Sequence, residues 1–457
     1  MAAAPRPRRA GSPLSGSAVN TLRLFRSFPL SVRLLLVNQL AGNTGFYMLM
    51  PFLAGYLLTD LRLSATVVGV VLGVRNLSQQ GLFLVGGAIS DRLGARGVII
   101  VGAAIRALGF ALFAVGGSLA VVLLASVLTG FAGALFNPAV RAYIARDSAE
   151  RAASAFALFN VFGNVGSALG PLAGTVLVAM GFQLTAAASA AIFAALTLAQ
   201  LALLPARPVP RAAHGVGRDL LNLFSHRVFW GFALALAGMF ALQAQSYFTL
   251  TLQAQEVAGA HGTAAVASLF LVDTVVILLL QVRLTQRFAR GERGPAMALG
   301  MAVMGCAFVI PPLVSPVLDA SGGGVLAVAV RLLPILAAVV VLTVGVMIVQ
   351  PFVNELIAVF GGERLTGTYF GAFYLVSGVL TVCLTAVAGA AVEYGGGPLS
   401  WCPAALCAGT GFLSAGAVTV LYRTGRLPRA TAETPTGTTV SAAAAQPAPD
   451  TESRDPR

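Results

Sequence analysis

The chain alternates between long apolar runs and short polar gaps. A helix needs roughly 20 mostly apolar residues to cross a bilayer. Twelve runs meet that length and are numbered here as spans 1 to 12: 33–57, 67–89, 97–117, 119–139, 154–179, 183–204, 229–253, 263–285, 295–317, 330–354, 366–391 and 398–421. The pattern predicts an all-α membrane protein with twelve transmembrane helices.

A longer polar stretch separates span 6 from span 7 and divides the chain into two sets of six spans. Because the first apolar run is long enough to span, we expect no cleavable signal peptide. The predicted order is an N-terminal tail, a six-helix half, a central loop, a second six-helix half and a disordered tail: 1–30, 31–204, 205–227, 228–423 and 424–457.

The arginines indicate the orientation of the chain. They cluster before span 1, in the gaps that follow the even-numbered spans, and after span 12, whereas the opposite gaps carry little beyond Arg62 and Arg331. Positive residues mark the cytoplasmic side of a membrane protein. We therefore expect a multi-pass protein of the cell membrane with both termini in the cytoplasm.

Composition agrees with a membrane protein and excludes several other classes. Charged residues make up 10% of the chain, against roughly a quarter in soluble domains. The net charge of +13 is spread over short gaps, which does not suggest nucleic-acid binding. The chain contains no lysine, so it has no Walker-type phosphate loop and we expect no direct ATP drive. No metal-ligand spacing or hydrolase motif is present, and we predict neither an enzyme nor a cofactor or metal site.

The two halves resemble each other internally. The segment 137–145, at the end of span 4, begins Asn-Pro and aligns with 350–358, at the end of span 10, which begins Gln-Pro. Two copies of one six-helix unit around a midplane site are typical of secondary transporters. The sequence therefore predicts pseudo-symmetric halves.

The gap after span 2 carries a motif with two glycines and three charges. Residues 87–96 read Gly-Ala-Ile-Ser-Asp-Arg-Leu-Gly-Ala-Arg, which resembles the G-x-x-x-D-R-x-G-R-[RK] signature of the major facilitator superfamily, with Ala95 at one basic position. The resemblance implies the major facilitator fold. It also implies a cytoplasmic charge network that latches the outward-facing state, with the members Gly87, Asp91, Arg92, Gly94 and Arg96.

Span 5 carries three glycines at four-residue spacing, which places them on one helix face. With the proline they resemble the G-x-x-x-G-P-x-x-G motif of the drug:proton antiporter branch: Gly166, Gly170, Pro171 and Gly174. Ordinary helix packing is the alternative explanation of the glycines. One departure is Ser126, which stands where many antiporters of the branch have an arginine. Proton coupling through that position is therefore unavailable here.

Three charged residues lie near mid-membrane depth: Arg75, Arg106 and Asp273. An ionisable group inside a span is a functional hypothesis by default because of its insertion cost. Asp273 is the only acid at that depth. Burial disfavours the charged form of a carboxylate, so we predict that Asp273 carries the proton. A structural ion pair with an arginine is the alternative.

Polar side chains at helical spacing complete the candidate site. The resemblance implies that spans 1, 4, 7 and 10 line the cavity. Amides left in lipid would be unsatisfied, so the amides and the tyrosines one turn from them are candidates for substrate binding: Asn43, Tyr47, Asn164, Gln243 and Tyr247. One of the two arginines is expected either to meet an anionic substrate or to be held by carbonyls and polar side chains.

Together with the resemblance, these features predict a proton-coupled exporter of small amphipathic compounds, such as drugs, working by alternating access. The expected partners are the small-molecule substrate, protons and the lipid bilayer, with the chain acting as a monomer. The alternative is an importer or facilitator of a small nutrient on the same fold, since a fold does not determine a function.

Overall fold

The computed structural model of the chain describes residues 23–83, 94–148, 151–206, 223, 225–288, 291–316 and 325–427. Within these ranges the regular secondary structure is helical throughout. Large apolar side chains such as Leu169, Val176 and Leu279 are exposed on the helix surfaces. This is expected when the surroundings are lipid rather than water.

The first half of the chain supplies spans 1 to 6. Span 1 runs as a helix to Leu49, tightens into a 3-10 turn, and resumes as a second helix. The observed bounds are Leu30–Leu49, Met50–Phe52 and Leu53–Thr59 for span 1, Ala65–Gly81 for span 2, Ala95–Val115 for span 3, Leu119–Ser148 for span 4, Ala152–Met180 for span 5 and Phe182–Leu203 for span 6. Pro51 lies in the tightened turn, where its missing N–H removes a helical hydrogen bond.

The second half supplies spans 7 to 12. Span 7 is also broken, with a 3-10 turn at Gln245–Tyr247. The helices are Arg227–Leu236, Gly238–Ala244 and Thr249–Ala258 in span 7, Gly262–Phe288 in span 8, Arg293–Val314 in span 9, Val325–Tyr394 across spans 10 and 11, and Trp401–Arg423 in span 12.

Nine segments of the described chain are long and apolar enough to cross a membrane. One of them, Arg227–Gln281, contains both span 7 and span 8, which meet at Gly259 with a φ of +50°. Spans 1 and 2 are outside this set. Span 1 is interrupted by its 3-10 turn, and the described helix of span 2 has 17 residues and includes a buried arginine.

Spans 10 and 11 differ from the expected pair of separate helices. The structure has one helical run of 70 residues, Val325–Tyr394. At 1.5 Å per residue such a run would be about 105 Å long, more than three times the hydrocarbon thickness of about 30 Å. Its two apolar parts, Leu326–Gly361 and Thr368–Tyr394, are each long enough for one pass.

The two halves meet closely along spans 2 and 11. A Cβ added to Gly73 would lie 2.7 Å from the Cα of Val382, and a Cβ added to Gly389 would overlap the carbonyl oxygen of Ala65. Glycine at these positions lets the two backbones approach. Span 5 also packs against span 8, so each half contributes more than one helix to the interface.

One end of the molecule carries the connections 60–64, 259–261 and 395–400 and is called here the outer end, because the arginine pattern predicts that it faces away from the cytoplasm. The halves contact each other there. Glu393 accepts hydrogen bonds from the hydroxyl of Thr66, at 2.8 Å, and from its backbone N–H, at 3.4 Å. Gln255 of span 7 packs directly on Gly55 of span 1. These contacts close the outer end.

Candidate functional site

A cavity of about 170 Å³ lies where span 1 of the first half meets spans 7, 8 and 10 of the second half. Helical spacing puts its polar side chains on the inward faces of these spans. Four of the predicted site residues line it: Tyr47, Gln243, Tyr247 and Asp273.

Asp273 is held by a neighbour on span 10. The hydroxyl of Thr343 lies 2.5 Å from a carboxylate oxygen of Asp273, and the same hydroxyl lies 2.8 Å from the carbonyl oxygen of Val339. A hydroxyl has one hydrogen to donate and two lone pairs to accept with. Thr343 therefore has a partner for either protonation state of Asp273. It donates to the carboxylate when Asp273 is charged, and it donates to Val339 while accepting from Asp273 when the acid is neutral.

Aromatic rings form another wall of the cavity. The rings of Tyr47 and Tyr247 face each other across the boundary between the halves, with centroids 6.5 Å apart. Phe270 lies one turn before Asp273 on span 8, and its ring centroid is 4.9 Å from that of Tyr247. Aromatic faces next to one carboxyl group favour ligands that combine apolar surface with a polar or charged group.

Sequence reasoning missed several residues of this cavity. Span 8 contributes four lining residues, although the resemblance pointed to spans 1, 4, 7 and 10, and span 4 contributes none of the described lining. A signal was present, because polar residues recur at helical spacing along spans 8 and 10. The missed polar members are Ser246, Gln281, Thr343 and Gln350.

Arg75 lies next to this cavity and has amide partners. Its guanidinium donates to Oδ1 of Asn76, at 2.8 Å, and to Oε1 of Gln79, at 3.4 Å. It also lies over the ring of Phe46, 5.3 Å from the centroid. A small void of about 10 Å³ separates it from Tyr247 of span 7. The contacts match the expectation of polar side chains as partners.

Arg106 lies apart from Asp273, in a second pocket within the first half. Its guanidinium lies 5.3 Å from the ring centroid of Phe193 and 5.8 Å from those of Phe46 and Phe136. Asn43 lines the same pocket. Asn164 lies partly buried on span 5 and lines none of the three cavities described here.

The span 5 glycines produce the close approach that their spacing predicts. A Cβ added to Gly170 would lie 2.5 Å from the Cβ of Tyr47, and one added to Gly166 or Gly174 would overlap a carbonyl oxygen of span 1. Asn43 donates to the carbonyl oxygen of Gly163 at 3.0 Å and so reinforces this contact. Pro171 lies inside the helix. The motif thus positions Tyr47 at the cavity.

Part of the predicted cytoplasmic latch lies outside the described residues, namely Gly87, Asp91 and Arg92. The remaining two members begin span 3. Gly94 has a φ of +85°, which favours glycine. Arg96 donates to the carbonyl oxygens of Leu204, at 2.6 Å, and Leu201, at 3.0 Å. Arg96 therefore joins the start of span 3 to the end of span 6.

Comparison with known proteins identifies relatives. The profile of the Major Facilitator Superfamily matches residues 35–385. An uncharacterized MFS-type transporter of Mycobacterium tuberculosis is 40% identical over 359 residues, covering 78% of this chain and 84% of the relative. The multidrug resistance protein MdtH of Aeromonas hydrophila is 31% identical over 252 residues, covering 54% of this chain and 62% of the relative.

Solved structures agree on the fold. An auto-inhibited peptide transporter of the POT family superposes with a TM-score of 0.70 at 17% identity, covering 89% of this chain and 99% of that chain. At this identity the likeness concerns the fold alone.

Proposed function

The chain belongs to the major facilitator superfamily of membrane transporters, and on that premise we propose that it exports small amphipathic compounds in exchange for protons by alternating access. The observation that carries the proposal is the cavity at the boundary of the halves, in which one carboxyl group faces aromatic rings and amides. The likeness of part of the chain to a multidrug resistance protein supports drugs or related compounds as substrates.

The cavity chemistry suits such compounds. Tyr47, Tyr247 and Phe270 offer ring faces for apolar groups. Gln243, Gln281 and Gln350 offer both hydrogen-bond donors and acceptors. The lining therefore mixes apolar and polar side chains, and the polar groups of a small-molecule site set the orientation of its ligand.

Proton exchange is assigned to Asp273. Its hydrogen-bond partner Thr343 accepts either protonation state by redirecting one hydrogen between Asp273 and Val339. Neither state therefore leaves an unsatisfied polar group at the pair. Because Asp273 lines the cavity, a bound substrate and a proton compete for its carboxylate.

Alternating access requires the outer end to open and the inner end to close. The contacts Thr66–Glu393 and Gln255–Gly55 hold the outer end closed in this structure. We propose that the 87–96 segment supplies the opposing closure at the inner end. Both termini are proposed to lie in the cytoplasm. Strong activity of a C-terminal fusion to a reporter that works only outside the cytoplasm would contradict that orientation.

The test of the export proposal is flux in inside-out membrane vesicles that contain the full chain. Acidifying the vesicle lumen should drive uptake of a fluorescent amphipathic dye, and an uncoupler should abolish it. Vesicles without the protein are the control. Uptake that does not depend on the proton gradient would indicate a facilitator. Uptake that needs the opposite gradient would indicate an importer.

A further inference from the structure

The pocket around Arg106 has a different character from the cavity at Asp273. It lies wholly within the first half, among residues of spans 1, 3, 4 and 6. Four of its lining residues are amides: Asn38, Gln39, Asn43 and Asn137. In the part of the chain that the structure describes, Arg106 is the only charged residue of the lining.

Arg106 lacks the compensation that Arg75 has. Among the described residues, its Nε is buried without a hydrogen-bond partner. Its guanidinium lies over the faces of Phe46, Phe136 and Phe193, and one of its terminal nitrogens packs beside Gly133. The guanidinium of Arg75 lies over the same Phe46 ring, at 5.3 Å, so two positive charges flank one ring. A buried charge without a counter-charge is costly, and a second like charge nearby increases that cost.

The donors toward an anion come from three of the four amides, because Asn43 already donates to the carbonyl oxygen of Gly163 and to the hydroxyl of Ser167. Oδ1 of Asn38 is occupied by Nε2 of Gln200 at 2.7 Å, which leaves the NH₂ group of Asn38 to serve the pocket. Each amide NH₂ offers two donors and a guanidinium offers five. A guanidinium is more weakly hydrated than an ammonium group, so its pairing with an anion costs less dehydration.

The size of the pocket selects the class of anion. Its volume is about 20 Å³, compared with about 170 Å³ for the cavity at Asp273. A cavity needs at least about 10–15 Å³ on this measure to hold a single water molecule. The pocket therefore has room for an occupant close to the size of one water molecule, and a drug-sized carboxylate does not fit.

We propose that the first half contains a binding site for one small monovalent inorganic anion, of which chloride is the reference, held by the guanidinium of Arg106 and the amides of spans 1 and 4. The anion neutralises Arg106 inside the membrane. It binds independently of the substrate, because the substrate cavity is separate.

The experiment measures anion-dependent stability of the purified full chain in detergent micelles. Potassium chloride is exchanged for potassium gluconate at constant ionic strength, and the Tm is followed by intrinsic fluorescence. A bound ligand raises the Tm in a saturable manner. Wild type should show saturable stabilisation by chloride and bromide. Gluconate, which is too large for the pocket, should give none. Line broadening in chlorine NMR reports binding directly.

Three variants assign the site. Arg106→Gln should raise the half-saturating chloride concentration at least about tenfold, equivalent to about 1.4 kcal/mol. Asn137→Asp, which is nearly isosteric, should place a fixed counter-charge in the pocket and abolish the chloride effect. The control is Arg151→Gln, because Arg151 also lies over a phenylalanine ring, Phe28 at 4.4 Å, but outside the pocket. It should retain the chloride dependence of wild type.

Two results would overturn the proposal. One is an equal Tm in chloride and gluconate for wild type, which would mean that the pocket holds water only. The other is an unchanged chloride dependence in Asn137→Asp, and this variant decides the matter if Arg106→Gln does not fold. Neither readout involves transport, so the result is independent of whether the chain exports its substrate.

Discussion

The two halves handle buried charge in opposite ways. The second half places one acid, Asp273, in a cavity of about 170 Å³ that it shares with span 1. The first half places two arginines inside its spans. Arg75 is held by the amides of Asn76 and Gln79, and Arg106 lies among aromatic rings beside a pocket of about 20 Å³.

Asp273 can change its protonation state, whereas Arg75 and Arg106 stay charged. Asp273 has space beside it and a hydroxyl partner suited to both protonation states. Arginine stays protonated in proteins, so the arginines cannot carry a proton and instead need a fixed counter-charge or fixed acceptors. The proposed coupling is therefore assigned to the second half, through Asp273, and not to the arginines of the first half.

The largest effect is expected from Asp273→Asn, which mimics the neutral acid. This variant should abolish uphill, gradient-driven transport in vesicles but keep substrate binding and substrate exchange, because the cavity volume is unchanged. Glu355→Gln is a matched control, since Glu355 pairs with Arg293 away from the cavity. Full uphill transport by Asp273→Asn would show that Asp273 is not the proton carrier.

The next largest effect is expected from Gly170→Ala. The added methyl would meet Cβ of Tyr47 at 2.5 Å and its carbonyl carbon at 2.9 Å, so span 1 must shift. Overpacking of this kind costs about 1–3 kcal/mol. We expect a lower Tm and transport reduced about tenfold. The control Gly409→Ala has open space around its position and should behave as wild type. Equal Tm values for both variants would show that the close approach is unnecessary.

A smaller effect is expected from Thr343→Val, which keeps the shape but removes the hydroxyl. The charged form of Asp273 loses a hydrogen bond worth about 1.5–3 kcal/mol and the neutral form loses one worth about 0.5–1.5 kcal/mol, so the substitution favours the neutral form. Because the neutral form is then favoured, the pH at which gradient-driven transport is half-maximal should rise. Thr343→Ser keeps the hydroxyl and should keep the wild-type profile. If the pH dependence of transport by Thr343→Val equals that of wild type, Thr343 has no part in proton coupling.

The smallest effect is expected from Arg75→Gln. Because Arg75 already has amide partners, it should not select substrates by charge. Transport of a substrate bearing a carboxylate and of its neutral amide should fall by the same factor, about two- to fivefold, for the loss of about 0.5–1 kcal/mol of packing and hydrogen bonding. Selective loss of the carboxylate form would mean that Arg75 binds substrate, and would place an anion contact in the first half.

Much of the fold follows from local properties of the sequence. Insertion of each span depends on the hydrophobicity of about 20 adjacent residues. The depth of Arg75, Arg106 and Asp273 follows from counting along those spans. The close approach at Gly170 follows from four-residue spacing on one helix. The break at Pro51 and the continuous helical run from span 10 to span 11 were not apparent, because both depend on helix geometry around a few residues.

The composition of the site was decided by tertiary structure. The sequence predicts how deep in the membrane a polar group lies. The direction in which that group faces depends on the rotation of its helix, which is set by packing against neighbouring helices. Thr343 is therefore the partner of Asp273 although 70 positions separate them. For the same reason Arg106, at a similar depth, faces a separate pocket. Hydrophobicity along the chain sets which charges lie within the spans, and helix packing sets which of those charges share a cavity.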